Sequence, residues 1–163
     1  MAGSHNEVRL VKDYGAVLER VTTAIHDAAD GRRATAAAVG VLKREVPDYA
    51  WVGIYLLEGH ELVLGPFVGK PSPHTRIPLG RGICGAAATE KTTIIVDDVN
   101  ADPRYLACSL ETKSEIVVPI MLGDEVLGEI DIDSDRHAAF NADDQALLEA
   151  VAGQLAQRMK EPR

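Results

Sequence analysis

Cysteine is scarce in this chain: only Cys84 and Cys108 occur among 163 residues. Two thiols do not make a disulfide scaffold. They form no CxxC pair, and neither they nor the five histidines show the spacing of zinc ligands. We therefore expect no metal and no cofactor. The two cysteines are then either small buried hydrophobic residues or groups for thiol chemistry.

Long apolar runs and an excess of basic charge are also lacking. The longest apolar stretches, such as IVVPIML, fall far short of the roughly 18 residues of a membrane span. No export signal is evident, so we expect a cytoplasmic protein. Acidic residues outnumber basic ones by 25 to 17, for a net charge of −8. This charge would repel nucleic acids and anionic membranes, which leaves a small molecule or another protein as the partner.

The length of 163 residues, 46% of them hydrophobic, suits one domain with a proper core. The opening MAGSH is typical of an expression tag. We expect residues 1–6 to be a tag remnant or a disordered start, and residues 7–160 to form a single domain.

The hydrophobic pattern predicts helices at both ends of the chain. Apolar residues recur every three or four positions over residues 7–29 and 34–46, which indicates two helices. The capping signal NADD opens a third helix over residues 141–159.

Between these helices the pattern changes to strands. YAWVGIYLLEGHELVLGPFVG and SEIVVPIMLGDEVLGEIDIDS each predict a β-hairpin with a short loop containing glycine. Between the hairpins we expect a short extended piece at residues 76–78, a brief helix in ICGAAATEK and a strand in TTIIVDDV. Consecutive hairpins flanked by helices predict an α+β fold, an antiparallel sheet with helices packed on it.

Acidic residues alternate along the last predicted strand. A period of two places Glu129, Asp131 and Asp133 on one face, which is either solvated, the commoner case, or faces a cavity. Glu115 opens the apolar run IVVPI, either as an ordinary first residue of a strand or as a partly buried carboxylate that ionises poorly. Acids converging on a pocket would suit an amine-bearing ligand or a proton donor with a raised pKa.

Aromatic residues are few, yet two of them share a face of the first strand. Trp51 and Tyr55 lie four residues apart with Gly53 between them. Such a pair more often belongs to a core, although it could also form the wall of a small pocket for a methyl or thioether group.

The two cysteines both lie in settings that favour a thiolate. Cys84, in GICGAA, stands at the expected start of a helix, where backbone N–H groups and the helix dipole lower the pKa of a thiol. Cys108 lies in a loop that also carries Arg104 and Lys113. A buried, inert cysteine is the alternative at each position.

Six sequence runs, taken in order, resemble the free methionine-(R)-sulfoxide reductases, a family of stand-alone GAF domains: WVGIYLL, LVLGPFVGK, RIPLGRGICGAAA, DDVNADPRYLACS, KSEIVVPI and GEIDIDS. The most specific parts are LACS, the following SEIVVP and the strand end DIDS. The resemblance implies a GAF-like sheet of about six antiparallel strands with the N- and C-terminal helices packed on it. It also implies a homodimer.

The resemblance implies an activity and roles for individual residues. Cys108 corresponds to the catalytic cysteine and Cys84 to a second redox cysteine. The implied reaction reduces free L-methionine (R)-sulfoxide through a sulfenic acid and a disulfide, which a thioredoxin-type reductant reopens. The family's substrate-binding carboxylates and aromatic wall correspond to Glu115, Asp131, Asp133, Trp51 and Tyr55.

Two features depart from the family pattern. Cys108 is followed by Ser109 and Leu110 where the family commonly has an Asp, and a cysteine is missing. The family commonly carries a third cysteine shortly after the GPFxGK run, and this chain has GKPSPHTRIP there. These departures keep an alternative function open, that of a GAF module that binds or senses a small ligand without turnover.

Overall fold

The computed structural model of the protein describes residues 11–106 and 111–160. This part of the chain contains four α-helices, six β-strands and one 3₁₀ turn, and it confirms the expected succession of helices and hairpins. In chain order they are α1 (Gly15–Asp27), α2 (Gly31–Glu45), β1 (Trp51–Glu58), β2 (Glu61–Val68), β3 (Arg76–Pro78), α3 (Gly82–Glu90), β4 (Ile94–Val96), the 3₁₀ turn (Val99–Ala101), β5 (Ser114–Leu122), β6 (Glu125–Ser134) and α4 (Ala142–Met159).

The six strands form one antiparallel sheet in the order β3-β2-β1-β6-β5-β4. The hairpins β1–β2 and β5–β6 are joined side by side, because β1 pairs with β6 at the centre of the sheet. The sheet confirms the predicted α+β, GAF-like fold. It also places the acidic strand β6 between β1, which carries Trp51 and Tyr55, and β5, which carries Glu115 as its second residue.

One face of the sheet carries the main hydrophobic core, which is shared with α1, α2 and α4. Strand residues point to the two faces alternately, so every second residue of the central strands enters this core. The strand residues buried there are Val52, Ile54, Ile116, Val118, Ile120, Ile130 and Ile132.

The first helix is shorter than the hydrophobic pattern predicts. Residues 7–29 were expected to be helical, whereas α1 spans Gly15–Asp27, and residues 1–10 lie outside the described part. Lys12 is drawn towards the start of α4 instead, because its Nζ donates to Asp144 Oδ2 at 2.6 Å. Tyr14 follows it, donating from its hydroxyl to Asp144 Oδ1 at 2.7 Å.

The final helix begins where the capping signal predicts. Asn141 is the N-cap of α4, and its side chain accepts from the backbone N–H groups of Asp143 and Asp144. The Asp144 side chain accepts from the backbone of Asn141 in return, which completes a capping box. Among the described residues, no helix is both long enough and apolar enough to cross a membrane.

The opposite face of the sheet is covered by α3 and by loops instead of long helices. A second apolar cluster lies there, and it includes Trp51, Tyr55 and Cys84 together with Ile83 and Val117. From the sequence, this face of the sheet was either solvated or turned towards a cavity. Its cover of α3 and loops makes it an enclosed space.

Candidate active site

Four acidic side chains converge on the covered face of the sheet. Glu129, Asp131 and Asp133 alternate along β6, and Glu115 of β5 is paired in register with Asp133. All four are buried, and the most exposed, Asp133, is 6% exposed. The commoner alternative, a solvated face, is therefore wrong, because α3 and the neighbouring loops pack over these acids.

The three acids of β6 are poorly supplied with hydrogen-bond donors. Within the described residues, both carboxylate oxygens of Glu129 and the Oδ1 atoms of Asp131 and Asp133 have no hydrogen-bond partner. Glu115 interacts through its side chain with both aspartates. A hydrogen bond between two carboxyl groups requires a proton on one of them. The cluster is thus arranged to hold protons.

Burial raises the pKa of each carboxyl group on β6 for which the direction is clear. Loss of hydration raises the pKa of Glu129, Asp131 and Asp133. The charge of Asp131 raises the pKa of Glu129 and of Asp133 further. A buried carboxyl group that keeps its proton can donate it to a bound molecule, so this face of the sheet can act as a proton donor.

Cys84 reaches the acids from α3. It is the third residue of this helix and is 5% exposed. Its Sγ atom and one oxygen from each of Glu115 and Asp131 lie within 4.8 Å of one another. The described part of the chain thus brings a thiol and two carboxyl groups together from three separate elements.

The surroundings of Cys84 do not favour the thiolate that the sequence led us to expect. Burial raises the pKa of the Cys84 thiol well above its ordinary range, and the charges of Asp131, Glu129 and Glu115 raise it further. The thiol does stand at the start of a helix, as predicted. Desolvation and three neighbouring carboxyl groups nevertheless outweigh the helix dipole, whose effect on a charge is small by comparison.

Cys108, the predicted catalytic cysteine, lies outside the described residues. The described residues on either side of it, Leu106 and Glu111, both border the site. Leu106 lines a small cavity together with Cys84, whereas Glu111 lines a larger cavity beside it.

The aromatic pair forms a wall of the site. Trp51 and Tyr55 are both buried on the same face as the acids. The indole Nε1 donates to the backbone oxygen of Lys70 at 2.9 Å, and the Tyr55 hydroxyl donates to the backbone oxygen of His74 at 2.8 Å. These two hydrogen bonds hold the connection between β2 and β3 against the two aromatic side chains.

Glycine at position 53 makes the orientation of Trp51 possible. A Cβ atom on Gly53 would stand 2.2 Å from Cη2 of the indole, a distance that no two such atoms tolerate. The indole therefore lies flat across Gly53, and its outer face stacks on Phe67 with the ring centroids 5.7 Å apart.

Two adjoining cavities contain every described residue that the sequence predicted for the site. The larger cavity, of about 80 Å³, is bordered by Trp51, Tyr55, Asp131 and Asp133. The smaller, of about 20 Å³, is bordered by Tyr55, Asp131, Cys84 and Glu115. Tyr55 and Asp131 belong to both, so the two cavities form parts of one site.

The structure adds residues that the sequence-based assignment omits. Glu129 shares the face of Asp131, as the alternation predicted, but its complete burial depends on the cover that α3 provides. At the rim of the larger cavity, Lys70 Nζ donates to Glu111 Oε2 at 2.6 Å. That ion pair joins loops distant in the chain, and nothing in the sequence indicates it.

Comparison with known proteins decides the family. The GAF domain family matches residues 13–159. The chain is 38% identical over 115 residues to the free methionine-R-sulfoxide reductase of Escherichia coli, an alignment that covers 71% of this chain and 69% of that protein. The chain belongs to the free methionine-(R)-sulfoxide reductase family of GAF domains. The resemblance seen in the sequence is thereby confirmed.

Other members of the free methionine-(R)-sulfoxide reductase family agree. The enzyme of this name from Saccharomyces cerevisiae is 47% identical over 109 residues, which cover 64% of this chain and 60% of the yeast protein. The structure of the Neisseria meningitidis free methionine-R-sulfoxide reductase, in complex with its substrate, superposes with a TM-score of 0.85 at 37% identity. That superposition covers 92% of each chain.

Proposed function

We propose that this protein reduces free L-methionine (R)-sulfoxide to methionine. The relatives from E. coli and S. cerevisiae carry the name of this activity. The observation that carries the proposal is the buried set of acids with unpartnered oxygens, which lies between a thiol and a pocket walled by aromatic rings. The alternative function is a ligand-binding module without turnover.

Substrate recognition follows from the chemistry of the larger cavity. The unpartnered Oδ1 atoms of Asp131 and Asp133 would accept charge-assisted hydrogen bonds from the α-ammonium group of a free amino acid. Trp51 and Tyr55 offer an apolar wall for the S-methyl group. A methionine sulfoxide inside a peptide has no free ammonium group to offer, so the free amino acid is preferred.

In the first chemical step Cys108, as thiolate, attacks the sulfur of the sulfoxide. A protonated carboxyl group among Glu115, Asp131 and Asp133 gives its proton to the sulfoxide oxygen, and the raised pKa of Asp131 and of Asp133 supports this role. The oxygen passes to Cys108, which becomes a sulfenic acid, and methionine leaves.

The described residues next to Cys108 support its place in this step. Leu106 lines the smaller cavity and stands two residues before Cys108. Two residues of fully extended chain span at most about 7 Å. This short distance along the chain supports the choice of Cys108 as the attacking thiol.

In the second step Cys84 resolves the sulfenic acid. The Cys84 thiol displaces water from Cys108, and a disulfide forms between the two sulfur atoms. The thiol proton passes to a carboxylate of the buried cluster, and then to the departing oxygen. A thioredoxin-type reductant then reopens the disulfide. Since this chain lacks the third cysteine that the family commonly carries, Cys84 is the sole internal candidate for this role.

The family resemblance also supports proposals for the oligomeric state, the cellular location and the extent of the domain. We propose a homodimer that acts in the cytoplasm, with residues 7–160 forming one domain.

Cysteine variants test the proposed cycle. Cys108→Ser should form no methionine, because the attacking thiolate is lost. Cys84→Ser should release methionine once per chain and then stall with thioredoxin as the reductant. The measurement is quenched-flow quantification of methionine against protein concentration.

Two results would contradict the cycle. Continued turnover of Cys84→Ser with thioredoxin would remove Cys84 from it. Methionine formation by Cys108→Ser would remove Cys108. If the unaltered protein bound the sulfoxide but released no methionine, the binding module would replace the reductase.

A further inference from the structure

The smaller cavity combines donors that a metal ion uses. Cys84 Sγ and one oxygen each of Glu115 and Asp131 lie within 4.8 Å of one another, and all three residues are buried. They come from α3, β5 and β6, so they are distant in the chain. This separation explains why the cysteine and histidine spacing in the sequence predicts no metal site.

A second observation concerns Asp131 of this cluster. Asp131 is 3% exposed, lines the smaller cavity, and its Oδ1 atom has no hydrogen-bond partner. Glu129 lies beside it with both oxygens unpartnered. In the described part of the chain no lysine or arginine borders this cavity, whereas His74 does. A buried carboxyl group ionises only at a cost in free energy, and a bound cation would offset that cost.

We propose that Cys84, Glu115 and Asp131 form a binding site for a thiophilic divalent cation of the Zn²⁺ class. One sulfur and two carboxylate oxygens match the ligand preferences of Zn²⁺, whereas Mg²⁺ and Ca²⁺ select sites made of oxygen alone. Three protein ligands leave the fourth tetrahedral position open.

The geometry requires only a small contraction. Ligand atoms about 2.0–2.3 Å from a tetrahedral ion stand roughly 3.5 Å apart, which is up to about 1.3 Å closer than the separations of as much as 4.8 Å found here. Binding would displace the thiol proton of Cys84 into solvent, and no oxidation or reduction is involved.

The consequence for activity rests on the proposed function. A metal ion at this site would hold Cys84 as a metal thiolate and occupy two of the carboxylates that bind substrate. We therefore expect Zn²⁺ to inhibit the reductase reversibly, with activity restored by a chelator.

Binding itself is tested without activity, by titrating Co²⁺ into the reduced full chain carrying Cys108→Ser. This background leaves Cys84 as the one thiol. We expect one Co²⁺ per chain with thiolate-to-metal charge-transfer absorption, which Zn²⁺ abolishes by displacement. Adding Cys84→Ser should remove the absorption. Adding Asp131→Asn should weaken the affinity more than about tenfold. The exposed Asp124→Asn is the matched control and should change nothing.

Several outcomes would overturn the proposal. They are absence of the charge-transfer band in the Cys108→Ser protein, a band that persists after Cys84→Ser, and unchanged affinity after Asp131→Asn. If Asp131→Asn fails to fold, alkylation of Cys84 in the unaltered protein decides the question. Mass mapping should show that Zn²⁺ protects Cys84, and equal alkylation rates would refute the site. If the metal-free protein shows no turnover, the proposed reductase activity is refuted. The Co²⁺ absorption would still support the metal site.

Discussion

The side chain of Leu106 rests directly on Gly82, the first residue of α3. A Cβ atom on Gly82 would stand 2.8 Å from Cδ1 of Leu106, closer than real contacts of this kind. Leu106 precedes Cys108 by two residues, and Gly82 precedes Cys84 by two. This contact therefore joins the chain segment of one cysteine to the helix of the other.

We expect Gly82→Ala to slow disulfide formation between Cys84 and Cys108. The new methyl group would push Leu106 away, and the positive φ of 68° adds backbone strain of about 1–2 kcal/mol. Gly80→Ala is the matched control, because φ is 85° there and no atom stands near the added methyl group. Both variants should lose stability, but only Gly82→Ala should form the disulfide more slowly. The rate of disulfide formation is measured by rapid quench and non-reducing mass mapping. Equal rates in the two variants would mean that the Leu106 contact does not set the approach of the cysteines.

Gly53→Ala should disturb substrate binding more than folding. The added Cβ would collide with the indole of Trp51, so the aromatic wall has to tilt away from the cavity. We expect KM for free methionine sulfoxide to rise several-fold. The chain has one tryptophan, so its fluorescence spectrum reports the movement directly. Gly65→Ala in β2 is the control, since its methyl group meets the Leu56 side chain and the backbone oxygen of Ile54 instead. An unchanged spectrum and KM in Gly53→Ala would show that the indole orientation is not needed.

The buried acids should make the protein less stable as the pH rises. The folded state raises the pKa of Glu129 through burial and through the charge of Asp131, so it binds a proton more tightly than the unfolded state does. That contribution to stability is fully present below the ordinary pKa of a glutamic acid, about 4.3, and is lost as the pH rises through the folded-state pKa.

Glu129→Gln should remove the cost of ionising this buried carboxyl group at pH 8. At pH 5 it should change the stability little. We expect its free energy of unfolding at pH 8 to exceed that of the unaltered protein by at least about 1 kcal/mol, since each unit of pKa shift corresponds to 1.36 kcal/mol. Urea denaturation at the two pH values provides the measurement. Glu125→Gln, at the exposed start of the same strand, is the control. A Glu129→Gln protein that is less stable than its parent at pH 8 would indicate that the ionised carboxylate has a favourable partner.

Specificity for the free amino acid should depend on the ammonium group of the substrate. N-acetylation of methionine sulfoxide removes the charge that Asp131 and Asp133 would bind, so we expect kcat/KM to fall by at least about a hundredfold, or roughly 3 kcal/mol. Competition between the free and the acetylated compound, monitored by chromatography, gives the ratio. Comparable rates would show that the two aspartates bind something other than the ammonium group.

Local sequence patterns predicted the elements of this fold and the face on which its acids lie. A period of two was enough to place Glu129, Asp131 and Asp133 together, because the direction of strand side chains depends only on neighbouring residues. Whether that face is solvated or buried depends on α3, which packs on it from a distant part of the chain. The same long-range packing reverses the expected pKa shift of Cys84.

Local sequence patterns also could not predict individual contacts between segments that are distant in the chain. The start of α1 depends on hydrogen bonds from Lys12 and Tyr14 to Asp144 at the other end of the chain. The Lys70–Glu111 ion pair at the rim of the cavity likewise joins two loops that no spacing connects.

The most direct test is turnover of each diastereomer of free methionine sulfoxide by the reduced protein. Each diastereomer would be incubated separately with dithiothreitol and a metal chelator, and methionine would be quantified by chromatography. We expect multiple turnovers of the R form and none of the S form. No methionine from either form, with the protein folded and both thiols titratable, would contradict the assignment as a free methionine-(R)-sulfoxide reductase.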